Sequence, residues 1–189
     1  MGNLEFDVRG PWKHWIRELS KDHAFLRFDQ RGCGLSDRRV QELSHEAWVR
    51  DLEVVVDAAG LDRFTLLGLS QGGATAIDYA VRHPDRVSHL VVVGTFARGW
   101  NRAGLSAAQL EEWETQAKLI GIGWGRDNPA FRQFFTSMFM PEATAEQMQS
   151  FNELERASTS AETAARFYRA FGEIDVFELL SKVSVPTLV

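Results

Sequence analysis

The feature of this sequence that best fits a catalytic site, by residue type and spacing, is a serine between two glycines. The pattern is Gly68-x-Ser70-x-Gly72, and it follows an apolar run, Phe64 to Leu69, that gives way to a helical pattern. On such a sharp strand-to-helix turn, side chains two positions from the serine would collide with neighbouring elements, so glycine fits there. The sequence therefore predicts that Ser70 is a nucleophile for acyl transfer.

The same turn predicts where negative charge would be stabilised. A helix that begins after Ser70 presents unpaired backbone N–H groups and the positive end of its dipole to the serine. We expect the backbone N–H of Gln71 to donate to the oxyanion that forms when a carbonyl is attacked. Gly73 and Ala74 continue the run of small residues and would let this helix approach the sheet closely. The alternative is a strand-to-helix turn whose glycines serve close packing alone.

Short apolar runs alternate with helical stretches, which is typical of a parallel sheet with helices on both faces. The predicted strands are 24–28, 64–69 (buried on both faces), 87–93 and one that begins at 185. The predicted helices are 12–19, one capped by Ser44 and ended by Gly60, and one from the serine turn to about 83. For the helix after Ser44 the expected apolar side is Ala47, Val54, Val55 and Ala58.

The segment from Thr95 to Ser184 has no strand pattern and is too long for a structureless connection, so it must be helical. Four helices are predicted, with caps at Ser106, Asn128, Thr144 and Ser160 and breaks at 121–125 and 141. We expect residues 1–95 to form the N-terminal part of a core, 96–172 a helical lid, and 173–189 a return to the core through a short helix at 175–180. Some aromatic and methionine side chains of the lid are expected to line an apolar pocket.

Composition excludes several classes of function. The 189 residues are 44% hydrophobic and carry a net charge of −5 with both signs interspersed, which argues against a nucleic-acid partner. No apolar run approaches the roughly 20 residues that span a bilayer, and the polar start does not resemble a signal peptide. The single cysteine, Cys33, fits a structural role and a cytoplasmic location. No metal-ligand spacing or phosphate loop implies a cofactor, and the oligomeric state stays open.

A second motif strengthens the interpretation of the serine turn. Residues 29–36, Asp-Gln-Arg-Gly-Cys-Gly-Leu-Ser, resemble the D-x-R-G-x-G-x-S turn that follows the fourth strand of the α/β-hydrolase family. The resemblance implies an incomplete α/β-hydrolase fold with its lid after the sixth strand. It also implies a serine hydrolase acting on a small or medium, mainly apolar ester, lactone or related acyl compound. Because position 70 is Ser rather than Asp, the haloalkane dehalogenase and epoxide hydrolase branches are disfavoured.

The resemblance places the remaining catalytic groups outside the sequence. In the family the acid follows the seventh strand and the histidine follows the eighth, and both positions fall beyond Val189. The second oxyanion donor would lie near Asn3 and Leu4, or upstream of Met1. Within the chain, His83 is about 20 Å from the serine along the helix, whereas His14 and His45 are expected in solvated or capping roles. A competing hypothesis is a non-catalytic, hydrolase-like ligand-binding or regulatory module.

Overall fold

The described part of the chain contains a three-stranded parallel sheet whose strands lie side by side in the order in which they occur in the sequence. The structure, a computed structural model, describes residues 13–126 and 128–189. The strands are β1, Phe64–Leu69; β2, Val87–Val93; and β3, Thr187–Leu188. Leu69 pairs with Val93 at the carboxyl ends of β1 and β2, and β3 pairs with the middle of β2. The predicted α/β class and these three strands are confirmed.

The described helices follow the predicted order closely. They are α1, Lys13–Leu19; α2, His45–Ala58; α3, Gln71–Arg82; α4, Ala107–Gly123; α5, Pro129–Phe139; α6, Ala145–Ser158; and α7, Ala161–Gly172. A 3₁₀ helix, Phe177–Lys182, replaces the short helix expected at 175–180. The start of the first predicted helix, Trp12, lies outside the described residues.

The four helices predicted between the last two strands are confirmed, and each begins after a side chain that caps it. Asn128 accepts a hydrogen bond from Ala130 N, Thr144 forms a capping box with Gln147, and Ser160 Oγ accepts one from Thr163 N. Ser106 Oγ similarly accepts from the N–H of Gln109. The first break comes later than expected, because α4 continues through Gly121 to Gly123. An interior glycine costs only about 1 kcal/mol, which packing can offset. The division of the chain at 95 and 172 stays a prediction.

The helix α2 begins as predicted but buries a different side. Ser44 accepts a hydrogen bond from Ala47 N, and Gly60 follows the helix with φ +63°. Its buried residues are Ala47, Trp48, Val49, Leu52 and Val56. Val54, expected on the apolar side, is 67% exposed, and Ala58 is exposed too. The expected side was wrong because the large Trp48 ring sets the orientation, stacking on Phe167 at 5.7 Å between ring centroids.

Two predictions about strands are wrong, namely the strand at 24–28 and the burial of β1 on both faces. The first lacks a pairing strand among the described residues, and the second lacks a covering element on one face. Residues 24–30 have no regular secondary structure, and Leu26 and Phe28 are 48% and 37% exposed. No other described residue pairs with this run, and an unpaired strand has no ladder to stabilise it. In β1, Leu66 and Gly68 are buried while Leu69 is exposed, so the described residues do not cover both faces.

The described residues divide into two compact units, one made of residues 13–41 with 115–126 and 128–166, and the other of Glu42–Glu114 with Phe167–Val189. In the first unit, the turn at 29–36 is tied to the end of α6, because Gly34 N donates to Ser158 O and Thr159 Oγ1 donates to Gly32 O. In the second unit, α3 packs on β1, β2 and α2. The described helices include none with the length and apolar character that a membrane crossing requires.

Candidate active site

Ser70 occupies the turn between β1 and α3 in a strained backbone conformation. Its φ is 51° and its ψ is −126°, and it is the one non-glycine residue with positive φ among the described residues. Such a conformation costs on the order of 1–3 kcal/mol and persists only where surrounding structure holds it. The side chain of Ser70 is exposed. The strand-to-helix setting predicted for this serine is therefore present.

The glycines around Ser70 do not have the equal roles that the motif predicts. A Cβ atom on Gly68 would lie 2.6 Å from the Cα of Gly73 and 2.8 Å from the carbonyl oxygen of Gly72, so a side chain is excluded there. A Cβ on Gly72 would meet no atom of the described residues within 4 Å. The predicted collision is thus confirmed at Gly68 and wrong at Gly72. Gly73, by contrast, is needed for close approach, since its Cβ would lie 2.3 Å from Thr95 Oγ1.

Two hydrogen bonds join the backbone of Ser70 to the chain at the end of β2. The N–H of Ser70 donates to the carbonyl oxygen of Val93 at 2.9 Å. The hydroxyl of Thr95 donates to the carbonyl oxygen of Ser70 at 2.7 Å, and the N–H of Gly73 donates to the same oxygen at 3.0 Å. The turn is therefore held from both sides of the Ser70 α-carbon.

The helix α3 begins at Gln71, directly after the serine. The first N–H groups of an α-helix have no intrahelical acceptor, and they carry the positive end of the helix dipole. Gln71 is the first residue of this helix, and the predicted role of its N–H as an oxyanion donor stays a prediction. The region of the expected second donor, Asn3 and Leu4, lies outside the described residues.

Two histidines of the second unit form pairs with carboxylates away from the serine. His45 Nε2 lies 2.8 Å from Asp78 Oδ2, and His83 Nε2 lies 2.8 Å from Glu53 Oε1. Asp78 is eight residues after Ser70, about 12 Å along the axis of α3. His45 is therefore not placed to accept a proton from Ser70. Its observed role is a hydrogen bond with a buried carboxylate rather than the solvated or capping role that the sequence indicates.

Asp78 is the centre of a charged cluster that joins α2 and α3. Besides His45, it accepts hydrogen bonds from Arg82, whose Nε lies 2.7 Å from Asp78 Oδ1 and whose guanidinium also binds Glu46. Burial raises the pKa of Asp78, but the hydrogen bonds from His45 and Arg82 outweigh burial and hold that pKa below its ordinary value. The cluster stabilises the packing of the helix that carries Ser70.

An open depression of about 470 Å³ lies at the carboxyl ends of β2 and β3. It is lined by Val91, Val92, Val93, Gly94, Thr95, Leu188 and Val189. Two of these residues, Val93 and Thr95, are the ones that bind the backbone of Ser70. None of the lining residues is an aromatic or methionine side chain from 96–172, so the contribution of those side chains to a pocket stays a prediction.

The aromatic side chains of 96–172 form clusters within each unit. In the second unit, Trp100 stacks on Trp113 with 4.5 Å between ring centroids, and Tyr168 packs on both. In the first unit, Trp124 contacts Phe135, which is 3% exposed. Most of these contacts are ordinary core packing.

The fold and the geometry of the serine turn define the class of protein. The chain matches the model of the α/β hydrolase fold family over residues 2–189 and belongs to that family. Among its curated relatives is 3-oxoadipate enol-lactonase 1 of Acinetobacter baylyi, which is 25% identical over 181 residues, 95% of this chain and 64% of the lactonase. Epoxide hydrolase 3 of Xenopus tropicalis is 34% identical over 84 residues, 43% of this chain and 23% of that protein.

Solved structures agree on the fold. An esterase from Exiguobacterium antarcticum superposes with a TM-score of 0.77 at 22% sequence identity, covering 98% of this chain and 68% of the esterase. The chain spans less than two thirds of the length of the lactonase and of the epoxide hydrolase. The comparisons therefore establish the family and the fold.

Sequence reasoning missed two groups in this region. Thr95 follows directly after the apolar run of β2, and the pair Gly94-Thr95 is the signal that could have drawn attention to it. The pair of His45 and Asp78 had no signal, because 33 residues separate its members and nothing in the pattern of either helix brings them together.

Proposed function

We propose that this chain supplies the nucleophile of a serine hydrolase that acts on a small or medium, mainly apolar ester, lactone or related acyl compound. The observation that carries the proposal is the geometry of Ser70, an exposed serine in a strained turn between a parallel strand and the first residue of a helix. Strain of this kind at an exposed nucleophilic side chain is typical of functional sites. The relative that is named an enol-lactonase supports a lactone, which is a cyclic ester, as the substrate.

In the proposed reaction, Ser70 Oγ attacks the acyl carbon and its proton passes to a general base. The carbonyl π bond opens, and the N–H of Gln71 donates to the resulting oxyanion. The carbonyl re-forms as the bond to the leaving alkoxide breaks, and the alkoxide takes a proton from the conjugate acid of the base. Water then attacks the acyl-enzyme in the same manner and releases the carboxylic acid and the free serine.

The general base is proposed to be a histidine held by a carboxylate, with both residues encoded after Val189, as the order of the family implies. Among the described residues none forms a hydrogen bond with Ser70 Oγ. The lengths of the relatives leave room for these groups, because this chain covers 64% of the lactonase. An in-frame aspartate shortly after Val189 and a later histidine in the gene would support this part of the proposal.

The identity of the nucleophile separates this proposal from the reaction named by another relative. An epoxide hydrolase matches 84 residues of the chain, yet position 70 is Ser, where the epoxide hydrolase branch has Asp. A serine that acts as a nucleophile forms an ester with an acyl group, whereas a carboxylate is the nucleophile expected for opening an epoxide. We therefore propose acyl transfer rather than epoxide opening.

A fluorophosphonate probe tests the nucleophile in the longest protein that the gene encodes. We expect covalent labelling of the wild type and of Ser137→Ala, and no labelling of Ser70→Ala. Ser137 is a suitable control because it is an exposed serine on α5 whose hydroxyl donates to Phe134 O of the same helix. Equal labelling of Ser70→Ala and the wild type would contradict the assignment. No labelling of any variant would favour the binding-module hypothesis.

A further inference from the structure

Thr95 lies at the start of the chain segment that follows β2, against the nucleophile turn. Its hydroxyl donates to the carbonyl oxygen of Ser70 at 2.7 Å. Gly94, with φ +56°, turns the chain between the last residue of β2 and Thr95. The γ atoms of Thr95 therefore face the first turn of α3, and they fill the space that a Cβ atom on Gly73 would occupy.

The hydrogen bond from Thr95 restrains the ψ torsion of Ser70, which the bond between Ser70 N–H and Val93 O does not restrain. The bond from the N–H of Ser70 to Val93 O restrains the chain on the amino side of the Ser70 α-carbon. On the other side, the bond from Thr95 and the bond from the N–H of Gly73 both hold the Ser70 carbonyl and so oppose rotation about ψ. Because Ser70 is in a conformation that non-glycine residues rarely adopt, loss of the Thr95 bond would leave the Ser70 carbonyl held by the N–H of Gly73 alone and would let the turn shift. The direction of the Ser70 side chain would change with it.

We propose that Thr95 is a positioning residue for the nucleophile, and that its hydroxyl fixes the direction in which Ser70 Oγ projects by holding the Ser70 carbonyl group. The proposal rests on the proposed function of Ser70. Thr95 performs no step of the reaction, since its hydroxyl hydrogen is committed to the Ser70 carbonyl oxygen. Loss of the hydroxyl should therefore slow the attack on the acyl carbon and leave substrate binding nearly unchanged.

The test compares a variant that lacks the Thr95 hydroxyl with a variant that keeps it. Thr95→Val removes the donor at nearly constant volume, and Thr95→Ser keeps it. Thr65→Val is the matched control, because the hydroxyl of Thr65 on β1 of the same sheet lies 3.4 Å from Ser88 Oγ and does not contact Ser70. The readouts are the rate constant of fluorophosphonate labelling and, with a p-nitrophenyl ester, kcat and KM of the longest encoded protein.

We expect Thr95→Val to lower the labelling rate and kcat about tenfold and to change KM less than about twofold. A tenfold change corresponds to the net free energy of about one hydrogen bond, here the bond that holds Ser70 in the orientation for attack. Thr95→Ser should restore most of the rate, and Thr65→Val should match the wild type. Circular dichroism establishes that each variant is folded. If Thr95→Val does not fold, Thr95→Ala removes the donor without placing a new methyl group against Gly73.

Three results would overturn the positioning role. The first is an unchanged labelling rate in the folded variant that lacks the hydroxyl, and the second is a Thr95→Ser variant that is labelled as slowly as Thr95→Val. The third is a rise in KM with kcat unchanged, which would indicate that Thr95 contacts the substrate directly. These results differ from failure of the proposed function itself. In that case the wild type would not be labelled at Ser70, whatever residue stands at 95.

Discussion

The two glycines of the serine motif should respond in opposite ways to the same substitution. A methyl group added at Gly68 would lie 2.6 Å from Gly73 Cα and 2.8 Å from Gly72 O, whereas one added at Gly72 would meet no atom within 4 Å in the part of the chain that the structure describes. Carbon atoms in contact are normally about 3.5–4.0 Å apart. The turn would therefore have to move by about 1 Å to accept Gly68→Ala, and the atoms in the way are backbone atoms.

The expected magnitudes follow from these distances. Overpacking of a well-packed site costs about 1–3 kcal/mol, and Gly68→Ala belongs at the upper end because a backbone cannot rotate aside. For a chain of 189 residues, a loss of about 3 kcal/mol lowers the melting temperature by roughly 6–12 °C. Gly72→Ala should be neutral or stabilising by up to about 1 kcal/mol, since alanine is the better residue in a helix.

Thermal and urea unfolding, followed by circular dichroism, measure both variants against the wild type. Gly72→Ala is the matched control, because it makes the same chemical change two residues on the other side of Ser70. Equal losses of stability, or a larger loss for Gly72→Ala, would refute the reasoning. The motif would then require both glycines for a reason other than the space available in the folded chain.

Three further predictions concern buried ionisable groups. Burial raises the pKa of Glu155 to about 8, so the free energy of unfolding should fall as the pH rises from about 4.5 to 8. Glu155→Gln should flatten this pH dependence, as measured by urea unfolding at several pH values. Asp78→Asn should cost about 3 kcal/mol at pH 7 and progressively less as the pH falls below the ordinary carboxyl pKa of about 3.9, because stability that comes from a lowered carboxyl pKa is lost on acidification. Burial raises the pKa of Cys33 to about 11, so iodoacetamide at pH 8 should alkylate it only after unfolding, as mass spectrometry can show.

Each of these predictions has a control and a contradicting result. For Glu155 the control is Glu153→Gln, an exposed carboxyl on the same helix that should leave the pH dependence unchanged. The explanation for Glu155 fails if both variants keep the dependence of the wild type. A stability difference for Asp78→Asn that does not shrink on acidification would rule out its charge as the cause. Rapid alkylation of Cys33 in the folded protein would contradict its complete burial.

Local patterns in the sequence were sufficient for the elements whose signals lie in neighbouring residues. The caps Asn128 and Thr144 marked the starts of α5 and α6, because a capping side chain binds an N–H two or three residues away. The run from Phe64 to Leu69 followed by small residues likewise located the strand, the turn at Ser70 and the helix. The family resemblance followed from two such local motifs.

Long-range packing decided the features that the sequence did not reveal. The buried side of α2 depends on where Trp48 meets Phe167, more than a hundred residues away, and the period of the helix alone fits several sides. The run 24–28 has strand-forming residues but no pairing partner among the described residues, and a strand exists only as part of a ladder.

At the serine turn, some features follow from the sequence and others only from the tertiary structure. The sequence by itself determined that Ser70 stands between a strand and a helix with glycines around it, because that information is contiguous. Only the tertiary structure decided which glycine is required, since the collision at Gly68 and the freedom at Gly72 depend on how tightly the turn folds back. It alone brought Thr95 to the carbonyl of Ser70, because parallel strands place residues distant in sequence at one edge of the sheet.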